Sequence, residues 1–230
     1  MGVVALNLLA LESASENCSV ALWCDGRQFV RRAASSHPHS EVLVPLVRTI
    51  VSDAGITLRQ LDAIAFGMGP GAFTGLRLAC GIAQGLALGL HVPVVPVSTL
   101  LAMAHGTEGD RVLTMLDARM GQVYLAAYVR SASGWSVEIQ PALHDLESLP
   151  ALTSSQWLPV GSGAELYASR LGEVWPDRLL PVRYGVIPDA GSVAALAVQD
   201  FLQHRAIPAD QAVPLYLRNK VALTRAERSG

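Results

Sequence analysis

The stretch Ala63-Ile64-Ala65-Phe66-Gly67-Met68-Gly69-Pro70-Gly71-Ala72-Phe73-Thr74-Gly75 contains the most specific pattern in this chain. Four apolar residues predict a buried strand, the glycines and the proline predict a turn, and a helix is expected from about Phe73 to Gly89. Such a turn either lets the helix start close to the sheet or presents backbone N–H groups to an anion. The dinucleotide spacing G-x-G-x-x-G fails because Thr74 takes the place of the third glycine. The residues alone leave both interpretations open.

The helix after this turn carries three glycines at four-residue intervals, Gly81, Gly85 and Gly89. Each costs about 1 kcal/mol relative to alanine inside a helix, so a compensating contact is expected. The glycines form a stripe without side chains, which packs either on the chain's own sheet or against a helix of another chain. The unusually apolar composition of this helix favours the second interpretation.

The sequence on either side of this stretch predicts alternating strands and helices. Val4 to Leu11 and Ser19 to Trp23 form a predicted hairpin, and Gln28 to Ala33 is a third strand. An amphipathic helix begins at His39 and ends before Gly55, and Ser98 caps a short helix after the strand Val92 to Val97.

A second apolar run, acid and turn follow 105 residues after the first, at Val112 to Asp117, so that Asp117 corresponds to Glu12. This indicates two related α/β halves. We expect an N-terminal lobe of residues 1–108 that carries two partner-binding helices, and a C-terminal lobe of residues 109–230. Predicted helices at Ala164 to Leu171 and Ser192 to His204 belong to the later part, and the second of them is a candidate for packing back on the first lobe. A basic, partly disordered tail is expected from about residue 217, with Arg218, Lys220, Arg225 and Arg228.

Composition excludes several classes of protein. The chain has 230 residues, of which 51% are hydrophobic and 16% charged, so it is too apolar for intrinsic disorder. A formal charge of −2 argues against a dedicated nucleic-acid surface. Neither a secretory signal nor an uncharged apolar run of membrane-spanning length is recognisable, so a cytoplasmic protein is expected. The P-loop pattern G-x-x-x-x-G-K-[ST] does not occur, and Lys220 is the only lysine.

Carboxylates at the two hairpin turns, Glu12 and Asp117, are candidates for holding Mg²⁺ beside nucleotide phosphates. Gly161 and Gly163 flank Ser162 before a predicted helix and are weak candidates for lining an adenine pocket. Each of the four also has a plain interpretation as a turn residue. The histidines give neither H-E-x-x-H nor H-x-x-x-H, so no metal site is expected.

Seven segments together resemble the bacterial TsaB (YeaZ) family: Leu9–Ala14, Cys18–Leu22, His39–Glu41, Gly69–Arg77, Val97–Leu100, Leu116–Arg119 and Tyr216–Arg218. The resemblance implies the actin-like, sugar kinase and Hsp70 ATPase type of fold (ribonuclease H-like), with two duplicated lobes. It implies a non-catalytic subunit that binds TsaD, which transfers a threonylcarbamoyl group to the adenosine beside the anticodon of tRNA. TsaE and tRNA are then reached through the complex, and a homodimer is expected when TsaD is absent.

The resemblance also implies that the first two helices form the partner interface. We expect this interface to include His39, Leu43, Leu46, Val47, Ile50, Pro70, Gly71, Phe73, Thr74, Arg77, Leu78, Gly81, Ile82 and Gly85. No resident cofactor is expected, and ATP or ADP is a candidate ligand at the boundary with TsaD.

Two departures from the family pattern bear on that ligand: Glu12 stands where the family usually has Asp, and Ala72 where it usually has Ser. Both make an independent nucleotide site in this chain less favourable. The main alternative function is a small-molecule phosphotransferase of the same fold that uses Glu12 and Asp117. A metallopeptidase is the weakest alternative because the ligand pair H-x-x-x-H is missing.

Overall fold

The computed structural model describes residues 6–33 and 37–218. The first sheet has the strand order β3-β2-β1-β4-β5. Its strands are β1 (Asn7–Glu12), β2 (Cys18–Cys24), β3 (Arg27–Ala33), β4 (Ala63–Gly69) and β5 (Val94–Ser98). The second sheet has the order β8-β7-β6-β9. It consists of β6 (Arg111–Asp117), β7 (Gln122–Ser131), β8 (Gly134–Asp145) and β9 (Leu158–Val160).

Six α-helices accompany the two sheets in the described part of the chain. They are α1 (His39–Asp53), α2 (Phe73–Leu90), α3 (Thr99–His105), α4 (Ser162–Leu166), α5 (Ala168–Val174) and α6 (Ala190–Leu202). The single helix expected from Ala164 to Leu171 is wrong in one respect: two short helices occupy this region, because the backbone at Tyr167 leaves the helical conformation.

The two sheets repeat one topology, which confirms the duplication. In each sheet, three antiparallel strands follow one another, and a later strand adds in parallel beside the first of them. Glu12 and Asp117 are the last residues of corresponding strands, β1 and β6. The α/β fold with two duplicated lobes is therefore present as expected.

Alternation along β1 sends successive side chains to opposite faces of the first sheet. Leu9 and Leu11 pack with α1 and α2, whereas Leu8 and Ala10 pack with α6. The chain thus returns to the first sheet after it has completed the second. A division at residues 108 and 109 separates the sheets, but α6 packs on the first lobe.

Helix α3 lies between the lobes. Leu100 and Met103 pack against the second sheet, while Ala102 joins the core beneath α6. Ser98 caps α3 as predicted, since its hydroxyl accepts a hydrogen bond from the Leu101 N–H at 3.4 Å. By length and composition alone α2 would be able to span a membrane, but one of its faces is buried on the first sheet.

Candidate partner-binding surface

The glycine-rich turn between β4 and α2 packs against the turn that joins β1 to β2. A Cβ at Gly67 would overlap the Glu12 carboxylate, one at Gly71 would overlap the Ala14 carbonyl, and one at Gly75 would overlap the Ser13 carbonyl. These glycines therefore let two backbone segments touch. The Gly69–Pro70 peptide bond in this turn is cis.

Two N–H groups of the same turn are used inside the protein. The Ala72 N–H donates to the Ala14 carbonyl at 2.7 Å, and the Gly69 N–H donates to the Thr99 hydroxyl at 3.2 Å. Protein oxygens already accept these two N–H groups, and together with the contacts of the glycines this supports the close-packing interpretation of the run.

Glu12 is fully buried beneath this turn. Its Oε1 accepts a hydrogen bond from the Ala14 N–H at 2.7 Å, and its Oε2 accepts one from the Thr99 hydroxyl at 3.1 Å. Burial raises the pKa of Glu12 to about 7, against the lowering effect of these hydrogen bonds. The expected nucleotide contact at Glu12 is wrong, because the carboxylate links β1, the glycine turn and α3 inside the core.

The remaining nucleotide candidates are also engaged by the protein. Asp117 Oδ1 accepts from the Arg119 N–H at 2.9 Å, and Oδ2 lies 3.3 Å from the Arg119 guanidinium. Gly161 and Gly163 are buried, and added Cβ atoms would press on the backbone of β6. Both glycines thus serve the close packing of this turn on β6, and their contact with an adenine ring stays a prediction. Among the described residues no group of three or more His, Cys, Asp or Glu side chains could hold a metal ion.

Helix α2 presents a continuous outer face to solvent. Phe73, Thr74, Arg77, Gly81 and Gly85 are exposed on it, and a Cβ at either of the last two glycines would meet nothing within 4 Å. Its buried face consists of other residues, namely Leu76, Ala79, Cys80, Ala83 and Ala87. The glycine stripe therefore faces away from the chain's own sheet, and the first of its two interpretations is wrong.

Half-buried apolar side chains border this stripe. Leu78 and Ile82 are partly exposed on α2, and the side chain of Leu88 is 60% exposed. We call Phe73, Thr74, Arg77, Leu78, Gly81, Ile82, Gly85 and Leu88 the α2 face. Pro70 is buried and Gly71 is half-buried just before it.

Helix α1 contributes less to a partner interface than its sequence suggests. Leu43, Val47 and Ile50 are buried in the core against the first sheet, so their assignment to the interface is wrong. Leu46 is half-buried. His39 Nε2 lies 3.0 Å from the Glu16 carbonyl oxygen and is engaged within the chain. The regular spacing of apolar residues in α1 is explained by the packing of this helix on the first sheet.

Tyr216 joins the α2 face from the far end of the chain, 139 residues after Arg77, a contact that sequence reasoning missed. The Arg77 guanidinium stacks 3.9 Å from the Phe73 ring centroid, and its Nε donates to the Tyr216 hydroxyl at 2.9 Å. The rings of Phe73 and Tyr216 lie 5.3 Å apart. The last described residue, Arg218, donates to the Ala118 carbonyl at 2.8 Å, so the start of the predicted tail is attached to the second lobe at this residue. The rest of the predicted basic tail, with Lys220, Arg225 and Arg228, lies outside the described residues.

Comparison with known proteins identifies the family of this chain. A family model described as "TsaD: tRNA N6-adenosine threonylcarbamoyltransferase" matches residues 31–165, more than half of the chain. The tRNA threonylcarbamoyladenosine biosynthesis protein TsaB of Escherichia coli is 38% identical over 94% of this chain and 96% of its own length. This chain belongs to the TsaB (YeaZ) family.

Other members of the TsaB family agree with this assignment. TsaB of Haemophilus influenzae is 35% identical over 94% of this chain and 95% of its own length. The solved structure of YeaZ from Pseudomonas aeruginosa superimposes with a TM-score of 0.83 at 35% identity, covering 92% of this chain and all of that one. This TsaB-family chain thus resembles in sequence two proteins named for tRNA threonylcarbamoyladenosine biosynthesis, and it shares its fold with YeaZ.

Proposed function

We propose that this chain is a non-catalytic subunit that binds TsaD through the α2 face and supports threonylcarbamoyl transfer to the adenosine beside the anticodon of tRNA. The observation that carries the proposal is the outward glycine stripe. Glycines inside a helix cost stability, and a Cβ at Gly81 or Gly85 would meet nothing within 4 Å, so no contact of this chain requires a glycine there. A partner backbone that approaches the stripe closely would compensate for the cost of these glycines.

The residues around the stripe suit a protein partner. Phe73 and Leu88 expose large apolar groups, and Arg77 is held in position between two aromatic rings. Aromatic and arginine side chains are enriched where binding energy concentrates in protein interfaces. TsaE and tRNA would then meet this subunit through the complex, and the site of action would be the cytoplasm, where tRNA is modified.

The same face would also serve self-association in the absence of TsaD. A two-fold dimer uses one patch on both copies, and the α2 face is a continuous patch of this kind. Since one surface serves one partner at a time, TsaD and a second copy would compete for it. Leu43, Val47 and Ile50 would take no part, because they are buried within each copy.

A nucleotide at the boundary with TsaD is compatible with a cleft of about 260 Å³ beside the start of α2. Arg119 and Arg218 line this cleft from the second lobe and the C-terminal segment, together with Tyr124 and Tyr216. The cleft supports the proposal that ATP or ADP is shared between the two subunits. Glu12 does not contribute to this cleft, since it is buried.

Two measurements test the non-catalytic role. Formation of threonylcarbamoyladenosine by the reconstituted proteins of the pathway should depend on adding this chain. ATP turnover by the purified chain alone should equal background, with and without Asp117→Ala. Turnover that is lost in Asp117→Ala would refute the non-catalytic role and favour the phosphotransferase.

A further inference from the structure

A cavity of about 400 Å³ lies where the chain crosses between the two lobes, away from the α2 face. One crossing is α3, and the other is the segment 183–189 that leads from the second sheet to α6. The lining residues are Arg32, Ala102, Met103, Gly106, Arg183, Tyr184, Gly185, Val186, Ile187, Asp189 and Ser192. Both lobes therefore contribute walls to this cavity.

Two arginines give the cavity an excess of positive charge. Arg32 Nε donates to Asp189 Oδ2 at 2.7 Å, and the other oxygen of Asp189 accepts the Gly191 N–H at 2.9 Å. The aspartate is thus occupied at both oxygens. The guanidinium of Arg183 makes no hydrogen bond or ion pair with any residue in the described part of the chain.

The loop that carries Arg183 is fixed at its backbone. The Arg183 N–H donates to the Pro159 carbonyl at 3.0 Å, and the Gly185 N–H donates to Glu165 Oε1 at 2.7 Å. Glu165 is engaged by this bond and does not line the cavity. The backbone of the loop is therefore in place before a ligand binds, and only its side chains would lose conformational freedom.

Apolar groups stand beside the cations. The side chain of Tyr184 is 67% exposed, that of Ile187 is 43% exposed, and Met103 forms part of the wall from α3. A flat ring placed here would cover surfaces that the chain itself leaves in water. The volume falls in the range of small-molecule sites.

We infer that this cavity binds a phosphate monoester of nucleoside monophosphate size. The guanidinium of Arg183 provides a planar pair of donors for phosphate oxygens, and Arg32 adds positive charge from the other lobe. The ring of the ligand lies against Tyr184 and Ile187. A nucleic-acid strand fits less well, because it requires many phosphate contacts and this chain has a formal charge of −2.

The test uses adenosine 5′-monophosphate, adenosine and inorganic phosphate as probes with the full chain at constant ionic strength. Binding is followed by the amide signals of Gly106 and Gly185 in two-dimensional NMR spectra. Adenosine monophosphate should shift both signals saturably and bind at least tenfold more tightly than adenosine or phosphate. Arg183→Gln should weaken its binding about tenfold or more, whereas Arg170→Gln, an exposed arginine paired with Glu173 on α5, should leave it unchanged.

Tyr184→Ala separates the contribution of the ring from that of the phosphate. This variant should bind adenosine monophosphate severalfold more weakly than the wild type and bind inorganic phosphate with unchanged affinity. The inference is overturned if adenosine binds as tightly as its monophosphate, or if Arg183→Gln binds the monophosphate like the wild type. A short RNA that binds through the same residues more than tenfold more tightly than adenosine monophosphate would also overturn it.

Discussion

Substituting Gly85 by leucine should move stability and partner binding in opposite directions. In the free chain an added Cβ at this position meets nothing within 4 Å, and because Gly85 is exposed the rest of a leucine side chain can extend into solvent. Leucine is the better helix former by about 0.8 kcal/mol. For a chain of this size, that gain corresponds to a rise in melting temperature of about 2 to 3 °C.

In the complex with TsaD the same side chain would occupy the space into which the partner backbone fits. Overpacking of this kind costs about 1 to 3 kcal/mol, and about 1.4 kcal/mol is a tenfold change in affinity. Binding to TsaD should therefore weaken by roughly tenfold to a hundredfold. Formation of threonylcarbamoyladenosine at limiting TsaD should fall with it.

Gly172→Leu is the matched control. Gly172 is also exposed on a helix, α5, with nothing within 4 Å of an added Cβ, but it belongs to the second lobe. This variant should gain stability and keep its affinity for TsaD. Calorimetric melting and titration with TsaD are measured on one preparation of each variant. If Gly85→Leu binds TsaD as tightly as Gly172→Leu does, the α2 face is not the partner surface.

The remaining predictions concern the fold and self-association. Gly75→Ala should lower the free energy of unfolding by about 1 to 3 kcal/mol, because its methyl group meets the Ser13 carbonyl. Gly81→Ala on the same helix should raise the free energy of unfolding by about 0.5 to 1 kcal/mol, because its methyl group meets nothing within 4 Å. Urea denaturation measures both values, and equal effects would contradict the packing described. Because burial raises the pKa of Glu12 from 4.5 to about 7, the folded chain holds this proton more tightly than the unfolded chain. Stability should therefore fall by about 3 kcal/mol as the pH rises from 4.5 to 7 and change no further above it. Subtracting the profile of Glu12→Gln isolates this slope from other titrating groups, the exposed Glu147→Gln should retain it, and an unchanged slope in Glu12→Gln would refute the assignment. The free chain should sediment as a dimer at micromolar concentration and dissociate on addition of TsaD; Gly85→Leu should shift it to monomer, and a wild-type chain that remains monomeric would contradict the shared surface.

Local pattern was sufficient to predict most of the secondary structure and the family. The apolar run at Ala63–Phe66, the glycine turn and the helix after it are encoded within about thirty residues, and such local signals survive in any tertiary context. The duplication was also readable, since Glu12 and Asp117 end corresponding strands.

Only the tertiary structure decided which helical faces turn outward. Leu43, Val47 and Ile50 form an apolar period that looks the same whether the first sheet or another chain covers it. The glycine stripe of α2 was equally ambiguous, because a missing side chain does not reveal which backbone approaches. The position of each helix relative to the first sheet shows which of its faces is covered. The spacing of residues within one helix does not contain that information.

The chemical state of Glu12 and the surroundings of Arg77 depend on residues far apart in sequence. Thr99 lies 87 residues from Glu12, and Tyr216 lies 139 residues from Arg77. A carboxylate at a hairpin turn is exposed or buried according to what packs on the turn, and here the turn after β4 and α3 close over it. The sequence therefore determined the elements and their order, whereas the burial of the acid and the composition of the partner surface arose from contacts that only the folded chain brings together.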